Sequence, residues 1–178
     1  ASGDQTGDPH DCGSGPLYGH VPIILDIFPR SKTNFYWADM TRTVFRGEPS
    51  DRLKEMYAVV KEGQQLGVDM TCASIDGSDI YRATLDLFEQ KGFHTGEIDG
   101  FQQGFIHGVG HSVGIDLHEP PMVNRKSYIL RAGNVVTIEP GLYYRKIGGI
   151  RIEDMVAVQD GGCLNLTLST KELSDLIL

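Results

Sequence analysis

The feature that most constrains this chain is a set of four carboxylates set inside, or at the end of, apolar and β-branched segments. Asp26 lies in VPIILDIF (21–28), Asp39 in NFYWADMTRTVF (34–45), Glu139 closes VVTIE (135–139) and Glu153 lies in IRIEDMVAV (150–158). A single charge in a strand normally sits on a solvated face. Strand parity leaves that open here, since Glu139 shares a face with Val135 and Thr137, and Glu153 with Arg151 and Met155. Burying an ionised carboxylate costs several kcal/mol unless something compensates it. Arg42 and Arg151 adjoin these strands, and two arginines cannot neutralise four anions. Divalent cations can, because oxygen-rich sites suit manganese, magnesium or zinc.

A second cluster points the same way. The segment FIHGVGHSVGIDLHEPPM (105–122) places His107, His111 and His118 four and seven residues apart, among glycines that let backbone approach closely. One histidine in an apolar loop is more often structural than functional. Three within twelve residues, alongside four strand-borne carboxylates, indicate a site, since neutral imidazole is the commonest protein ligand for transition metals.

The segments between these clusters set the fold class. The two Asp-bearing runs, joined by the turn-forming 29–33, are expected to pair as a hairpin. Ser50 is a candidate N-cap for a helix that presents Leu53, Met56, Tyr57, Val60 and Leu66 on one face and is expected to end at Gly67. Residues 76–91 repeat the pattern with Ile80, Ala83, Leu87 and Phe88, and Gly92 supplies the stop. The two Glu-bearing runs flank a turn at 144–149, and residues 171–178 read as a short helix or an ordered end. Hairpin, two helices, Gly/His segment and hairpin make an α+β domain with a largely antiparallel sheet.

Composition narrows the function classes. At 178 residues the chain can bury a core without disulfide or metal staples. Its formal charge of -8, with basic residues scattered rather than striped, argues against nucleic-acid binding. No apolar run approaches the roughly 18–20 residues that span a bilayer. Cys12, Cys72 and Cys163 are odd in number and widely spaced, which suggests free thiols in a reducing compartment, hence the cytoplasm. The polar opening ASGDQTGDPHDCGSGP lacks the basic start and apolar core of a secretory signal.

Over nearly its whole length the chain resembles the pita-bread metallopeptidases, the family of methionine aminopeptidases, Xaa-Pro aminopeptidases and prolidases. The resemblance rests on five motifs in chain order: LDI, ADMTRT, HGVGHSVG, TIEPGLY and GIRIEDMVAV. It implies a curved, mainly antiparallel sheet with flanking helices. Residues 1–178 would be one catalytic domain, the C-terminal portion of a longer protein truncated at its N-terminus. Two divalent ions, manganese first with cobalt, zinc or iron as alternatives, would be held by Asp26, Asp39, His111, Glu139 and Glu153. His111 is preferred to His107 because the family's liganding His precedes the His of the HEPP segment, His118, by seven residues.

By the same resemblance Asp39 and Glu153 bridge the two ions, Asp26 binds mainly one, and His111 with Glu139 binds the other. Glu139 also moves a proton, His118 stabilises the oxyanion, and His107 places the residue after the scissile bond. His10 resembles a substrate-binding His, and Arg151 braces the carboxylates. His20 and His94 match nothing and are expected at the surface. The His107–His111 pair and the short turn between the two Glu favour the Xaa-Pro branch, acting on peptides with proline second as an aminopeptidase or dipeptidase, with a homodimer possible. A catalytically silent peptide-binding domain, a methionine aminopeptidase and a metal-independent creatinase-like protein are the alternatives. The Asp26–Asp39 interval, two residues longer than the family's usual spacing, is expected to be absorbed at the hairpin tip with both Asp on one face. Two dications would bring the net charge to about -4.

Overall fold

In a computed structural model that describes residues 1–178, eleven short strands and two helices surround one core. The first hairpin pairs β1 (Pro22–Ile27) with β2 (Met40–Phe45), antiparallel, with Asp26 opposite Thr41. The second run is strand only from Met40. Residues 28–39 form a tip in which Arg30 bridges Trp37 and Phe35 takes a left-handed φ of 63°, so the extra length is taken up outside the ladder.

Helix α1 (Asp51–Met70) begins at Ser50, whose hydroxyl accepts the Leu53 N–H. Leu53, Met56, Tyr57 and Val60 are buried, as their spacing predicts, while Leu66 is half-buried. The helix does not stop at Gly67. A Cβ there would stand 2.7 Å from Ile138 Cγ2, so this glycine serves close packing against the sheet, and the helix continues to Met70. Helix α2 (Gly77–Gln90) ends at Gly92 as expected.

Short strands β3 (Gly96–Ile98) and β4 (Phe101–Gln103) form a small hairpin. The main sheet contains β5 (Gly110–Ser112), β6 (Glu119–Val123), β7 (Val135–Ile138), β10 (Asp154–Gln159) and β11 (Gly162–Asn165), in the order β11-β10-β7-β5-β6, every pairing antiparallel. Strands β8 (Gly141–Tyr144) and β9 (Gly148–Arg151) pair separately. The first Glu-bearing run therefore ends at Glu139, while the second is split between β9 and β10. Asp154 pairs with Ile138 and Arg151 with Gly141, so the breaks at 139–140 and 152–153 lie side by side. Glu139 and Glu153 sit in those breaks, where the hairpin leaves the main sheet.

Apolar side chains from both helices and the sheets meet in one core that includes Phe45, Met56, Val60, Ile80, Phe88, Phe105, Ile138 and Ile150, all essentially inaccessible. The tail carries a 3-10 turn (Leu173–Asp175) and a parallel bridge from Ile177 to Phe45. All three cysteines are free thiols. No helix is long and apolar enough to cross a membrane.

Candidate metal centre

Asp39, at the entry to β2, shares a face with Thr41, and Asp26 lies opposite Thr41, so both aspartates project to the same side of the hairpin. His111 reaches that side from β5. Its backbone sits there because Gly110 has no side chain: a Cβ would fall 1.9 Å from the Thr137 carbonyl oxygen. Glu139 and Glu153 enter from the adjacent strand breaks. One ligand atom each from Asp39, His111 and Glu153 lie within 4.8 Å of one another, and all three residues are buried. Glu139 joins through an Oε1 that is 3.2 Å from His111 Nε2, and Asp39 Oδ2 lies 3.8 Å from the same nitrogen. Asp26 stands on the rim, its Oδ2 accepting from Arg151 Nη2 at 2.7 Å.

The charges in this cluster do not balance. Glu153 is 1% exposed; its Oε2 accepts from Thr41 Oγ1 at 2.7 Å, while its Oε1 has no partner at all. Burial first, then the charges of Glu139 and Asp39, push its pKa well above the usual glutamate range. Burial likewise lifts Asp39 to about 7, reinforced by Asp26 and Glu139. For His111, burial works downward, yet its hydrogen bond to Glu139 and the nearby carboxylates hold it above its ordinary value. Burial opposes ionisation of Glu139 too, and contact with His111 nevertheless keeps its pKa low. Two buried carboxylates with raised pKa values, one carrying an orphaned oxygen, fit a site that takes up divalent cations.

The histidines divide by their bonding. His111 Nδ1 lies 3.1 Å from the Ser112 carbonyl, which only accepts, so the neutral ring carries its proton there and turns the Nε2 lone pair toward the carboxylates. For His107, Nδ1 donates to the Gly108 carbonyl at 2.7 Å and Nε2 is engaged by Tyr143 OH at 2.8 Å, which leaves no lone pair for a metal. Burial lowers its pKa. His118 makes no hydrogen bond, and its ring stands edge-on to His111 with centroids 4.1 Å apart. Its pKa is lowered by partial burial and by His111. His10 is largely exposed on the loop before β1. His20 and His94 are exposed, bonded to the Glu48 carbonyl and to Glu89.

Arg151 ties these groups together. Nη2 bonds Asp26, Nε donates to Thr41 Oγ1 at 3.1 Å, and Nη1 reaches Tyr143 OH at 3.2 Å and the Pro9 carbonyl at 3.3 Å. A cavity of about 730 Å³ opens over the cluster, lined by residues that include His10, Asp26, His107, His111, His118 and Glu139. Thr41 and Tyr143 belong to this network and did not stand out in the sequence. Parity held the signal: Thr41 is two residues after Asp39, and Tyr143 faces the same side of its hairpin as Arg151.

Comparison with known proteins identifies the family and the fold. The model of metallopeptidase family M24 matches residues 1–160. The chain is 32% identical over 174 residues to the Xaa-Pro dipeptidase of Pyrococcus furiosus, covering 97% of this chain and 47% of that protein. Among solved structures, an Xaa-Pro dipeptidase from Bacillus anthracis superposes with a TM-score of 0.88 at 37% identity, covering 99% of this chain and 47% of that one. An X-Pro aminopeptidase from Thermotoga maritima gives 0.86 at 30% identity, over 96% and 46%. The chain thus spans about half the length of the relatives it matches, and its fold is the pita-bread fold.

Proposed function

Because this chain belongs to metallopeptidase family M24, we propose that residues 1–178 form one catalytic unit of a peptidase that removes an N-terminal residue ahead of proline. The observation that carries this reading is the buried Asp39–His111–Glu153 cluster with its unpartnered Glu153 oxygen. The similarity to Xaa-Pro dipeptidases and an X-Pro aminopeptidase supports the substrate class. Asp39 and Glu153 would each serve two divalent ions, Asp26 mainly one, and His111 with Glu139 the other. Bound there, the ions would supply an acidified water as nucleophile and polarise the scissile carbonyl. Manganese is the first choice, with cobalt, zinc and iron accepted by the same donors.

The chain's own groups then share the work. Glu139, at the cavity wall, accepts a proton and delivers it to the leaving nitrogen. His118, free of internal hydrogen bonds, is available to donate to the developing oxyanion. His107 has both nitrogens engaged, so it offers substrate its ring. That suits a proline, whose imino nitrogen has no N–H to be recognised. Arg151 and Thr41 fix the carboxylates, and His10 lies where it can meet the substrate at the mouth of the cavity. The free thiols fit a cytoplasmic enzyme. A homodimer is the proposed assembly, to be checked by sedimentation of the full-length gene product.

Hydrolysis of Xaa-Pro dipeptides and longer Xaa-Pro peptides by the manganese-loaded, full-length gene product tests the reading. Release of the residue ahead of proline is expected, and the preferred length separates dipeptidase from aminopeptidase. Cleavage after Met without a proline requirement would point instead to a methionine aminopeptidase. Intact peptides with a fully loaded protein would sink the peptidase assignment.

A further inference from the structure

The extended tip of the first hairpin touches the loop that carries His118. Trp37 donates its backbone N–H to the Gly114 carbonyl at 3.0 Å and its indole Nε1–H to the Ile115 carbonyl at 3.1 Å. These are the only hydrogen bonds that tie residues 114–118 to a distant part of the chain. The others are local: Gly114 N–H to the Asp116 carbonyl, and Asp116 N–H to Glu119 Oε2. Ile115 is 49% exposed, so packing adds little, and the His118 ring has no hydrogen bond of its own. Beyond its edge-on contact with the His111 ring, where that ring points is therefore set by its loop.

Trp37 is well placed to set it. The Arg30 guanidinium lies 5.6 Å from the Trp37 ring centroid and 5.2 Å from that of Phe35, and Arg30 Nε donates to the Phe35 carbonyl at 3.0 Å. Ala38 N–H to the Pro29 carbonyl and Ser31 N–H to the Tyr36 carbonyl, both 2.9 Å, close the tip. Two residues beyond Trp37 the same backbone delivers Asp39. We propose that Trp37 is a positioning residue for His118, clasping the 114–118 loop to the segment that brings Asp39 into β2. It fixes the distance between the oxyanion donor and the metal cluster. The inference rests on the role given to His118 above.

The test uses the full-length, metal-loaded gene product and the variants Trp37→Phe, His118→Ala and the double variant. Phenylalanine keeps the backbone bond and the ring beside Arg30 and removes only the indole donor. A loosened catalytic group of this kind costs up to roughly 10²-fold per ångström of misplacement. The expected result is a fall in kcat of about 5–10-fold with KM, metal content and melting temperature unchanged. Amide hydrogen exchange at 114–118 should quicken about tenfold. In the His118→Ala background the same change should alter kcat by less than about twofold. Unchanged exchange in Trp37→Phe, or an equal fall in kcat in both backgrounds, would overturn the proposal. If His118→Ala alone left turnover intact, the role assigned to His118 would fail, and with it the catalytic consequence of the clasp.

Discussion

Glu153 and Asp154 are adjacent in sequence and both inaccessible, yet their surroundings are opposite. Successive residues point to opposite faces. Asp154 meets Arg42 Nη2 at 2.7 Å, Lys171 Nζ at 2.6 Å, Asn165 Nδ2 at 2.8 Å and Gln64 Nε2 at 3.1 Å. Burial alone would raise its pKa, and these donors pull it below the usual aspartate value. Glu153 meets one hydroxyl, keeps one oxygen unbonded and has its pKa driven up. A carboxylate that the protein satisfies with its own cations is structural. One that is buried and left short of cations is held for something from outside.

The largest expected effect breaks the Glu153 side. Glu153→Gln should lower Xaa-Pro turnover by roughly 10³-fold or more, since it removes an anion from the metal site. The metal-free variant should melt no lower than the parent, because a carboxyl whose ionisation burial and its neighbours oppose has been replaced by a neutral group. Asp154→Asn should do the reverse. It strands the charges of Arg42 and Lys171 and destabilises the chain by about 3–5 kcal/mol in denaturant titrations, with metal stoichiometry retained by the folded fraction.

A smaller effect sits between the two. Thr41→Val removes the only donor to the Glu153 carboxylate and one acceptor of Arg151. A loss of about 10–100-fold in metal affinity, read by calorimetry, is expected. A change below twofold would show that the carboxylate needs no orienting partner.

The smallest effect is a contrast in pH dependence of the metal-free chain. Asp39 moves from 3.8 to about 7 on folding, and Glu153 also rises. For such groups the folded state binds the extra proton. For Asp39 the contribution to stability is complete below the unfolded value near 3.8 and is lost as pH rises through about 7, and that of Glu153 is likewise lost as pH rises through its own raised folded value. Asp154, with its lowered pKa, contributes above the unfolded value and loses that contribution as pH falls through its folded one. Melting temperature should therefore decline from mildly acid to neutral pH without metal, and the decline should flatten on metal addition or in Glu153→Gln. A metal-free profile that stays flat would contradict the unbalanced cluster.

Much of this was legible in the chain. Asp26, Asp39, Glu139 and Glu153 could be read as a group from charge placed in apolar segments, His111 is singled out among three histidines only by the family resemblance, and the antiparallel α+β class follows from the order of periodic segments. The distinction between Glu153 and Asp154 could not, because it depends on Gln64, Asn165 and Lys171, brought together from a helix, a strand and the tail. The break at 152–153 was hidden by continuous β-forming sequence, whereas the one at 139–140 carries Pro140 and Gly141; both arise where the hairpin turns away from the main sheet. Gly67 read as a helix stop because the Ile138 side chain it accommodates is 71 residues away. The clasp by Trp37 joins segments nearly eighty residues apart through carbonyl groups, which carry no residue-specific signal.

The most direct test of the account is elemental analysis of the manganese-loaded full-length protein beside its Glu153→Gln and Asp154→Asn variants, with Xaa-Pro hydrolysis measured on the same samples. About two ions per chain are expected in the parent and in folded Asp154→Asn, with a clear loss of metal in Glu153→Gln and turnover that follows the metal. Full metal content in Glu153→Gln, or a parent protein that takes up none, would contradict it.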